Sequence, residues 1–192
     1  RFGISVAIDG ATVVVGAYGD DDDGSDSGSA YVFRTTDGDA TYSQVAKLTA
    51  SDATSGDYLG NLDGVAIDGG TIVVGAQNNG GSGSAYVFRT NDGGATYSQV
   101  AKLTTADAVK GFGRSVAVDS DTVIIGAHLG NGKPGVVYIF RTTDDGSTYE
   151  QVAKLTAADG AGGDRFGVCV ATEGDTVVVG GHWDDDDGSK SG

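Results

Sequence analysis

Several residue types are scarce or absent in this 192-residue sequence, and each shortage excludes a class of protein. Glu occurs only at Glu150 and Glu173, whereas Asp occurs 25 times and Gly 34 times, so residues that favour turns replace one that favours helices. This composition therefore argues against a helical protein. The single cysteine, Cys169, excludes an internal disulfide bond, and its apolar neighbours predict a buried side chain. Since Met is absent, we expect the chain to be part of a longer or processed translation product.

Positive charge and long apolar runs are also scarce. The 12 Lys and Arg residues against 27 acidic residues give a formal net charge of −15, which argues against a nucleic-acid or anionic-membrane partner. No apolar run approaches the ~20 residues of a membrane span, so membrane insertion is not expected. A hydrophobic content of 39% argues against disorder. The Asp-rich, sulfur-poor composition is typical of a secreted protein in salty water, so we expect an extracellular or cell-surface location.

An internal repeat dominates the sequence. SVAIDGATVVVGA recurs three times in related form, with offsets of 59, 51 and 54 residues. Copies of this segment, of SAYVFRT and of SQVAKLT follow one another in a constant order: 5–17, 29–35 and 43–49; 64–76, 84–90 and 98–104; 115–127, 136–142 and 150–156; and 169–181 alone. The chain therefore holds three whole units and a fourth that stops after its second segment.

Each unit predicts four short strands. TVVVGA is apolar on both faces, SAYVFRT alternates, and acidic-Gly or Asp-Ser pairs predict tight hairpins between the first and second strands. Antiparallel four-stranded units at this spacing predict an all-β protein, a β-propeller with four-stranded antiparallel blades and about 3.5 blades in this chain. A parallel β-helix is the alternative, although its stacked strands are not joined by two-residue hairpins. The expected blades are 1–55, 56–108 and 109–160, with a half blade at 161–192.

The repeat resembles the FG-GAP repeat of integrin α-subunit-like propellers. The segments RFGISVAIDG, VVVGA and SAYVF carry the resemblance, which covers essentially the whole chain. The FG pair stands at Phe2-Gly3, Phe112-Gly113 and Phe166-Gly167, with Leu59-Gly60 as a degenerate copy. The GA pair stands at Gly16-Ala17, Gly75-Ala76 and Gly126-Ala127, and diverges at Gly180-Gly181. The resemblance implies that ligands bind on the propeller face formed by the loops after the second strands.

The calcium loop that many members of this family carry between the first and second strands is not present here. A two-residue turn is too short to surround a cation with six or more oxygens. The runs Asp20–Asp23 and Asp184–Asp187 leave two interpretations open, a solvated acidic loop or a Ca²⁺ site, because neither run has the alternating spacing of an EF-hand-type loop. Candidate Ca²⁺ ligands are Asp20, Asp22, Asp26, Asp184 and Asp186.

The hairpins between the third and fourth strands resemble the Asp-box of sialidases and other propellers. They span 35–42, 90–97 and 142–149, and the first copy has Asp39 where the motif has Gly. In such a hairpin the Asp accepts backbone N–H groups and the aromatic residue packs beneath the turn, so we expect a structural role.

No catalytic residues are predicted, because the arginines and histidines recur at equivalent positions rather than forming one asymmetric site. The loops after the second strands vary most, which favours them as the ligand-binding region. Candidate ligand-binding residues there are Tyr18, Gln77, His128, His182 and Trp183. Instead of binding a ligand, the two histidines could be ordinary solvated loop residues, and Trp183 could pack at the rim of the propeller.

Two functions remain open on this evidence. The first is an extracellular, non-enzymatic adhesion or recognition module that binds a protein or glycan. The second is a structural building block that self-assembles into an extracellular filament or coat. Three and a half blades cannot close a ring, so we expect further blades of the same protein, or a second copy, to complete it.

Overall fold

The computed structural model describes residues 1–38, 41–107, 109–129 and 134–183, and its regular structure is almost entirely antiparallel sheet. Blade 1 contains β1 (Val6–Asp9), β2 (Thr12–Ala17), β3 (Ser29–Arg34) and β4 (Ser43–Leu48). Blade 2 contains β5 (Val65–Asp68), β6 (Thr71–Ala76), β7 (Ser84–Arg89) and β8 (Ser98–Leu103). Blade 3 contains β9 (Lys110–Asp119), β10 (Thr122–Leu129), β11 (Val136–Arg141) and β12 (Glu150–Leu155). The half-blade contains β13 (Cys169–Glu173) and β14 (Thr176–Gly180).

The strands of each blade are hydrogen-bonded in chain order, which gives three four-stranded sheets and one two-stranded sheet. The first strands of successive blades are neighbours, β1 beside β5, β5 beside β9 and β9 beside β13. The blades are therefore arranged radially around their first strands, and the fourth strands lie on the outside. This arrangement confirms the predicted propeller fold and excludes the β-helix. The described ranges contain no helix long and apolar enough to cross a membrane.

The first and second strands are joined by two-residue turns that lie one residue further along than the sequence indicated. Asp9 pairs with Thr12, so the turn consists of residues 10 and 11. The first turn residue has a positive φ in every unit, 50° at Gly10, 54° at Gly69, 53° at Ser120 and 55° at Gly174.

The acidic residue before each turn holds the turn of the next blade. Asp9 Oδ2 accepts the N–H of Gly69 at 2.7 Å, and Asp68 Oδ2 accepts the N–H of Ser120 at 2.6 Å. Asp119 accepts the N–H of Gly174 in the same way. Hydrogen bonds from turn N–H groups to Asp carboxylates thus connect the blades at this end of their first strands.

The apolar core lies between blades. We call the face of a blade that carries the Tyr and Phe of its third strand the leading face, and the opposite face the trailing face. Tyr86 and Phe88, on the leading face of blade 2, pack in one cluster with Ala30 and Val32, on the trailing face of blade 1. Tyr138 of blade 3 packs in the same way against blade 2. The alternation predicted for SAYVFRT is therefore confirmed, and both faces of this strand are buried in blade 2, which has a blade on either side.

The FG and GA glycines form the closest contact between neighbouring blades. A Cβ at Gly16, Gly75 or Gly126 would overlap the carbonyl oxygen of Gly60, Gly113 or Gly167, respectively, in the following blade. The degenerate Leu59-Gly60 pair therefore occupies the same place as the FG pairs. Side chains are excluded here because backbone meets backbone across the junction.

The FG phenylalanine packs on the third strand of its own blade. The Phe112 ring lies 5.4 Å from that of Tyr138 and is fully buried, because blade 2 covers it. Phe2 makes the equivalent contact with Tyr31 at 5.5 Å but is 62% exposed, because no described blade precedes blade 1.

The prediction that Cys169 is buried is wrong, since its side chain is exposed. Cys169 occupies the position of Ser5 and Ser115, which are buried where a following blade covers them. Ser115 Oγ donates to the carbonyl oxygen of Gly167 at 2.9 Å. No described blade follows Cys169, so its side chain is exposed although its neighbours in the sequence are apolar.

Candidate functional site

The residues that follow the second strands lie at one end of the blades, since β2, β6, β10 and β14 share one orientation in repeat-equivalent sheets. We call this end the loop face. Its repeat-equivalent residues are Tyr18, Gln77, His128 and His182. The Asp-box hairpins lie at the opposite end, because each third strand runs antiparallel to its second strand.

Tyr18 belongs to a small aromatic cluster at the junction of blades 1 and 2. Its ring lies edge-to-face with that of Tyr58, with centroids 5.7 Å apart. The Arg1 guanidinium carbon lies 5.9 Å from the Tyr18 centroid, at the outer limit of a cation–π contact. Tyr58 has a positive φ of 58°, and Tyr18 is half-buried. The cluster therefore presents aromatic edges and a cation together on the loop face.

A second cluster lies beside the half-blade. The Arg165 guanidinium carbon lies 3.4 Å from the centroid of the Trp183 ring, and the His182 ring lies edge-to-face with that ring at 5.5 Å. Trp183 is 36% exposed, and its backbone N–H donates to the carbonyl oxygen of Asp164 at 3.3 Å. The indole is therefore held by its neighbours while part of it meets solvent.

Three residues that complete these clusters were not predicted from the sequence. Arg1, Tyr58 and Arg165 all stand immediately before an FG-type pair. This position lies next to the loop face because the FG pair packs against the GA pair of the preceding blade. A variable residue beside an otherwise constant motif was the signal that could have identified them.

His128 is not a solvated loop residue, because β10 continues through it and its exposed fraction is 8%. Its Nδ1 atom is buried and has no hydrogen-bond partner among the described residues. Burial, with smaller effects from Arg114 and Arg165, lowers the pKa of His128 to about 4. The imidazole is therefore neutral at pH 7. Gln77, at the equivalent position, is half-buried, and the described part of the chain supplies no donor to its Oε1 atom either.

Among the candidate calcium ligands, Asp20 and Asp22 converge on the Lys47 ammonium group. Lys47 Nζ lies 2.9 Å from Asp20 Oδ2 and also pairs with Asp22. Asp20 Oδ2 accepts the hydroxyls of Tyr31 at 2.7 Å and Ser29 at 2.8 Å. Burial opposes ionisation of Asp20, but these hydrogen bonds together hold its pKa well below the usual value. A protein cation thus neutralises this part of the acidic loop.

The other calcium candidates are not part of this pair. Asp26 has a positive φ of 55°, and its backbone N–H donates to Asp21 Oδ1 at 2.7 Å. Asp184 and Asp186 lie outside the described residues. Within the described ranges, no group of three or more His, Cys, Asp or Glu side chains is placed to hold a metal ion.

The Lys47 arrangement recurs in the other complete blades as a Tyr–Asp–Lys triad. Asp52, in the connection between blades 1 and 2, accepts the Tyr86 hydroxyl at 2.7 Å and Lys102 Nζ at 2.5 Å. In blade 3, Asp107 accepts the Tyr138 hydroxyl and Lys154 Nζ. In blades 2 and 3 the Lys of the fourth strand therefore ties the blade to the loop that enters it, whereas Lys47 ties the fourth strand of blade 1 to the loop after β2 of the same blade. The sequence did not reveal this role.

Each Asp-box Asp holds its hairpin locally, as predicted. Asp144 accepts the backbone N–H of Thr148 at 2.8 Å and its hydroxyl at 2.6 Å. Asp37 and Asp92 make equivalent contacts. These hydrogen bonds, those from Thr148 first, lower the pKa of Asp144 to about 2. The divergent Asp39 lies outside the described residues.

The Asp-box is also a contact point between blades. Arg34, at the end of the third strand of blade 1, donates to the carbonyl oxygen of Gly93 in blade 2. Arg89 of blade 2 pairs with Asp145 of blade 3 at 3.3 Å. A Cβ at Gly146 would overlap the Arg89 guanidinium, so Gly at this position admits the arginine of the preceding blade.

Comparisons with known proteins agree with this geometry. The FG-GAP repeat pattern matches the chain four times, at residues 1–33, 42–88, 97–140 and 149–192. No curated protein matches the sequence. The crystal structure of Saccharomyces cerevisiae Sqt1 is similar in fold, with a TM-score of 0.54, 13% identity, and an alignment covering 81% of this chain and 36% of that chain. Since the repeat pattern accounts for most of the sequence, the chain belongs to the FG-GAP repeat family.

Proposed function

We propose that the chain is an extracellular, non-enzymatic recognition module that binds a glycan or protein ligand on its loop face. The observation that supports this proposal is the pairing of aromatic rings with cations at two junctions of that face. Tyr18 lies with Tyr58 and Arg1 at one junction, and Trp183 lies with Arg165 at the other. Partly exposed aromatic rings supply apolar contact area with a polar edge, which suits binding of a sugar ring or a protein loop.

The cations favour a ligand that carries an acidic group. The guanidinium of Arg165 is already stacked on Trp183, so little conformational freedom is lost when it binds a carboxylate or sulfate. Because the chain has a net charge of −15, such a ligand is repelled at long range, and selectivity must come from these local contacts.

The test is binding of the full chain to a glycan array and to cell-surface protein extracts. We expect Tyr18→Ala and Trp183→Ala to abolish the binding that the native chain shows. Tyr42→Ala is the matched control, since Tyr42 is an exposed aromatic in an Asp-box hairpin at the opposite end of blade 1. Equal loss in all three variants, or no loss in the first two, would contradict recognition by the loop face.

The uncovered blade faces favour a second candidate, a self-assembling structural unit. Phe2, Val6 and Ile8 are exposed on the leading face of blade 1, and Val178 is exposed on the trailing face of the half-blade. Further blades of the same protein, or a second copy, would bury these residues and complete the ring. In this case Ile8→Glu prevents concentration-dependent association in sedimentation velocity, whereas Val100→Glu, on an outer strand, leaves it intact. Association that survives Ile8→Glu excludes the leading face as the assembly surface.

A further inference from the structure

A cleft opens between blades 2 and 3 at the Asp-box end of the chain, opposite the loop face. It has a volume of about 440 Å³, which lies within the range of sites that bind small molecules. Its lining includes Arg89, Asn91, Ser98 and Val100 from blade 2, and Asp145 and Ser147 from blade 3. Both blades have all four strands, so two whole repeat units form this cleft.

The blade 3 wall of the cleft differs in sequence from the other Asp-box hairpins. Asp145 stands where those hairpins have Gly38 and Gly93, and Ser147 stands where both have Ala. Asp145 has a φ of 56°, and Gly38 and Gly93 have φ angles of 71° and 72°. This left-handed region suits Gly better than Asp. A carboxylate and a hydroxyl therefore enter the repeat at this junction, although Gly at residue 145 would relax the backbone.

Polar groups that the fold does not use line this cleft. Asp145 Oδ1 accepts Arg89 Nη2 at 3.3 Å, and its Oδ2 atom has no hydrogen-bond partner among the described residues. Since the Asp145 side chain is 99% exposed, water screens this ion pair, and a ligand hydroxyl can replace part of it at little cost. The side chains of Asn91 and Ser98 also make no hydrogen bond within the described ranges.

The junction between blades 1 and 2 lacks this set of groups. Arg34, the equivalent of Arg89, donates to the backbone carbonyl oxygen of Gly93. The cleft beside Arg34 has a volume of about 230 Å³, and none of the described residues that line it carries a carboxylate. Of these two junctions, the one between blades 2 and 3 alone combines a guanidinium, a carboxylate and a side-chain amide in one cleft.

The charges in the larger cleft favour an uncharged ligand. The guanidinium of Arg89 and the carboxylate of Asp145 cancel, and the net charge of −15 on the chain repels anions. Sugar hydroxyls both donate and accept hydrogen bonds, so neighbouring hydroxyls can pair with the donors of Arg89 and with the oxygens of Asp145 and Asn91. Val100, which is 39% exposed, offers an apolar contact for the C–H groups of a sugar ring.

We propose that the cleft between blades 2 and 3 is a binding site for a neutral saccharide. Asp145 accepts hydrogen bonds from the sugar hydroxyls, Arg89 donates hydrogen bonds to them, and Val100 packs against the ring. This site goes beyond the proposed function, because it lies at the opposite end of the blades from the loop face and takes an uncharged ligand. The two sites can therefore be tested separately.

The test is an NMR titration of the full chain with the methyl glycosides of glucose, galactose, mannose and N-acetylglucosamine, with inorganic sulfate and acetate as anionic probes. We expect saturable binding of at least one glycoside with a Kd of about 1 mM, because a single ring in an open cleft buries little surface. Asp145→Gly should weaken this binding about tenfold or more, since it removes the charged acceptor. The variant should keep the native Tm or exceed it, because Gly suits the positive φ of this residue.

Asp121→Gly is the matched control. It removes a carboxylate from the turn between β9 and β10, at the same end of blade 3, and blade 2 has Gly70 at the equivalent position. Since Asp121 is not among the residues that line the cleft, glycoside affinity should be unchanged. Ser147→Ala, which introduces the residue of the other hairpins, should weaken binding less than Asp145→Gly does, because it removes an uncharged group.

Three results would overturn the proposal: no saturable binding of any of the four glycosides, equal effects of Asp145→Gly and Asp121→Gly, or displacement of the bound glycoside by sulfate or acetate, which would make the cleft an anion site. Tyr18→Ala and Trp183→Ala should bind the glycoside as the native chain does, whereas they should lose the acidic ligand of the loop face. Loss of glycoside binding in these two variants would place the saccharide on the loop face and would also overturn the proposal.

Discussion

Replacement of Gly75 by Ala tests whether the FG and GA glycines set the distance between blades. Gly75 lies in β6, and a Cβ there would overlap the carbonyl oxygen of Gly113 in blade 3. The φ angle of Gly75 is not positive, so Ala adds no backbone strain of its own. The obstacle is backbone on both sides, so no rotamer change relieves it, and the blades must separate.

The cost follows from the packing at this junction. Separation by about 1 Å forfeits a quarter to a half of the dispersion energy of each contact that opens. The cluster between blades 2 and 3 includes Val73, Phe112 and Tyr138, all fully buried. We therefore expect a loss of about 3 kcal/mol or more, at the upper end of overpacking effects. For a chain of this size, that loss lowers Tm by about 6–12 °C.

The control is Gly180→Ala, at the repeat-equivalent position of the half-blade. A Cβ there meets the Cys169 side chain, which can rotate, and no backbone of a following blade. We expect its free energy of unfolding, from urea denaturation followed by circular dichroism, to lie within about 1 kcal/mol of the native value. Two results would refute the conclusion that these glycines set the distance between blades. One is a Gly75→Ala chain with the Tm of the native chain, and the other is a Gly180→Ala chain that is destabilised as much as Gly75→Ala.

Three further predictions concern the core, the buried imidazole and the acidic loop. Phe112→Ala should cost about 3–5 kcal/mol, whereas Phe2→Ala, at the same motif position without a covering blade, should cost less than about 1 kcal/mol in the same urea assay. Because the pKa of His128 is lowered from 6.5 to about 4, its neutral form contributes stability that is fully present above pH 6.5 and is lost as pH falls to about 4. His128→Gln should flatten the dependence of unfolding free energy on pH between pH 4 and 6.5. An unchanged slope would show that protonation of His128 does not produce this dependence. If Ca²⁺ binds Asp20 and Asp22, it must displace Lys47, so Lys47→Gln should bind Ca²⁺ more tightly than the native chain in calorimetry, and equal affinity would place the ion elsewhere.

The fold was predictable because each repeat unit carries the same pattern of apolar alternation and turn residues. The segment SAYVFRT occurs twice and its variant VVYIFRT once, all three alternate in the same way, and each pairs with the second strand of its own blade in the structure. Burial was less predictable, because it depends on the next blade rather than on the local sequence. Cys169 and Ser115 occupy the same position, yet only the residue with a following blade is buried.

The contacts of the loop face could not be read from spacing alone. Tyr18 was a candidate from its place after the GA pair, but its partner Tyr58 lies 40 residues later in a different blade. Likewise, the acidic loop gave no sign that Lys47, on the fourth strand, would neutralise Asp20. Both contacts depend on the radial packing of blades, which brings the ends of different units together.

The recurrent contacts between neighbouring blades divide into an inner set and an outer set. Each complete junction uses four recurrent connections: glycine backbone against glycine backbone, an Asp that accepts a turn N–H, a Tyr–Asp–Lys triad, and an Arg beneath an Asp-box. Among the described residues, the junction after blade 3 makes the first two of these connections, through Gly167 and Asp119. The contacts near the axis are therefore made by first and second strands alone, whereas the outer contacts require a hairpin.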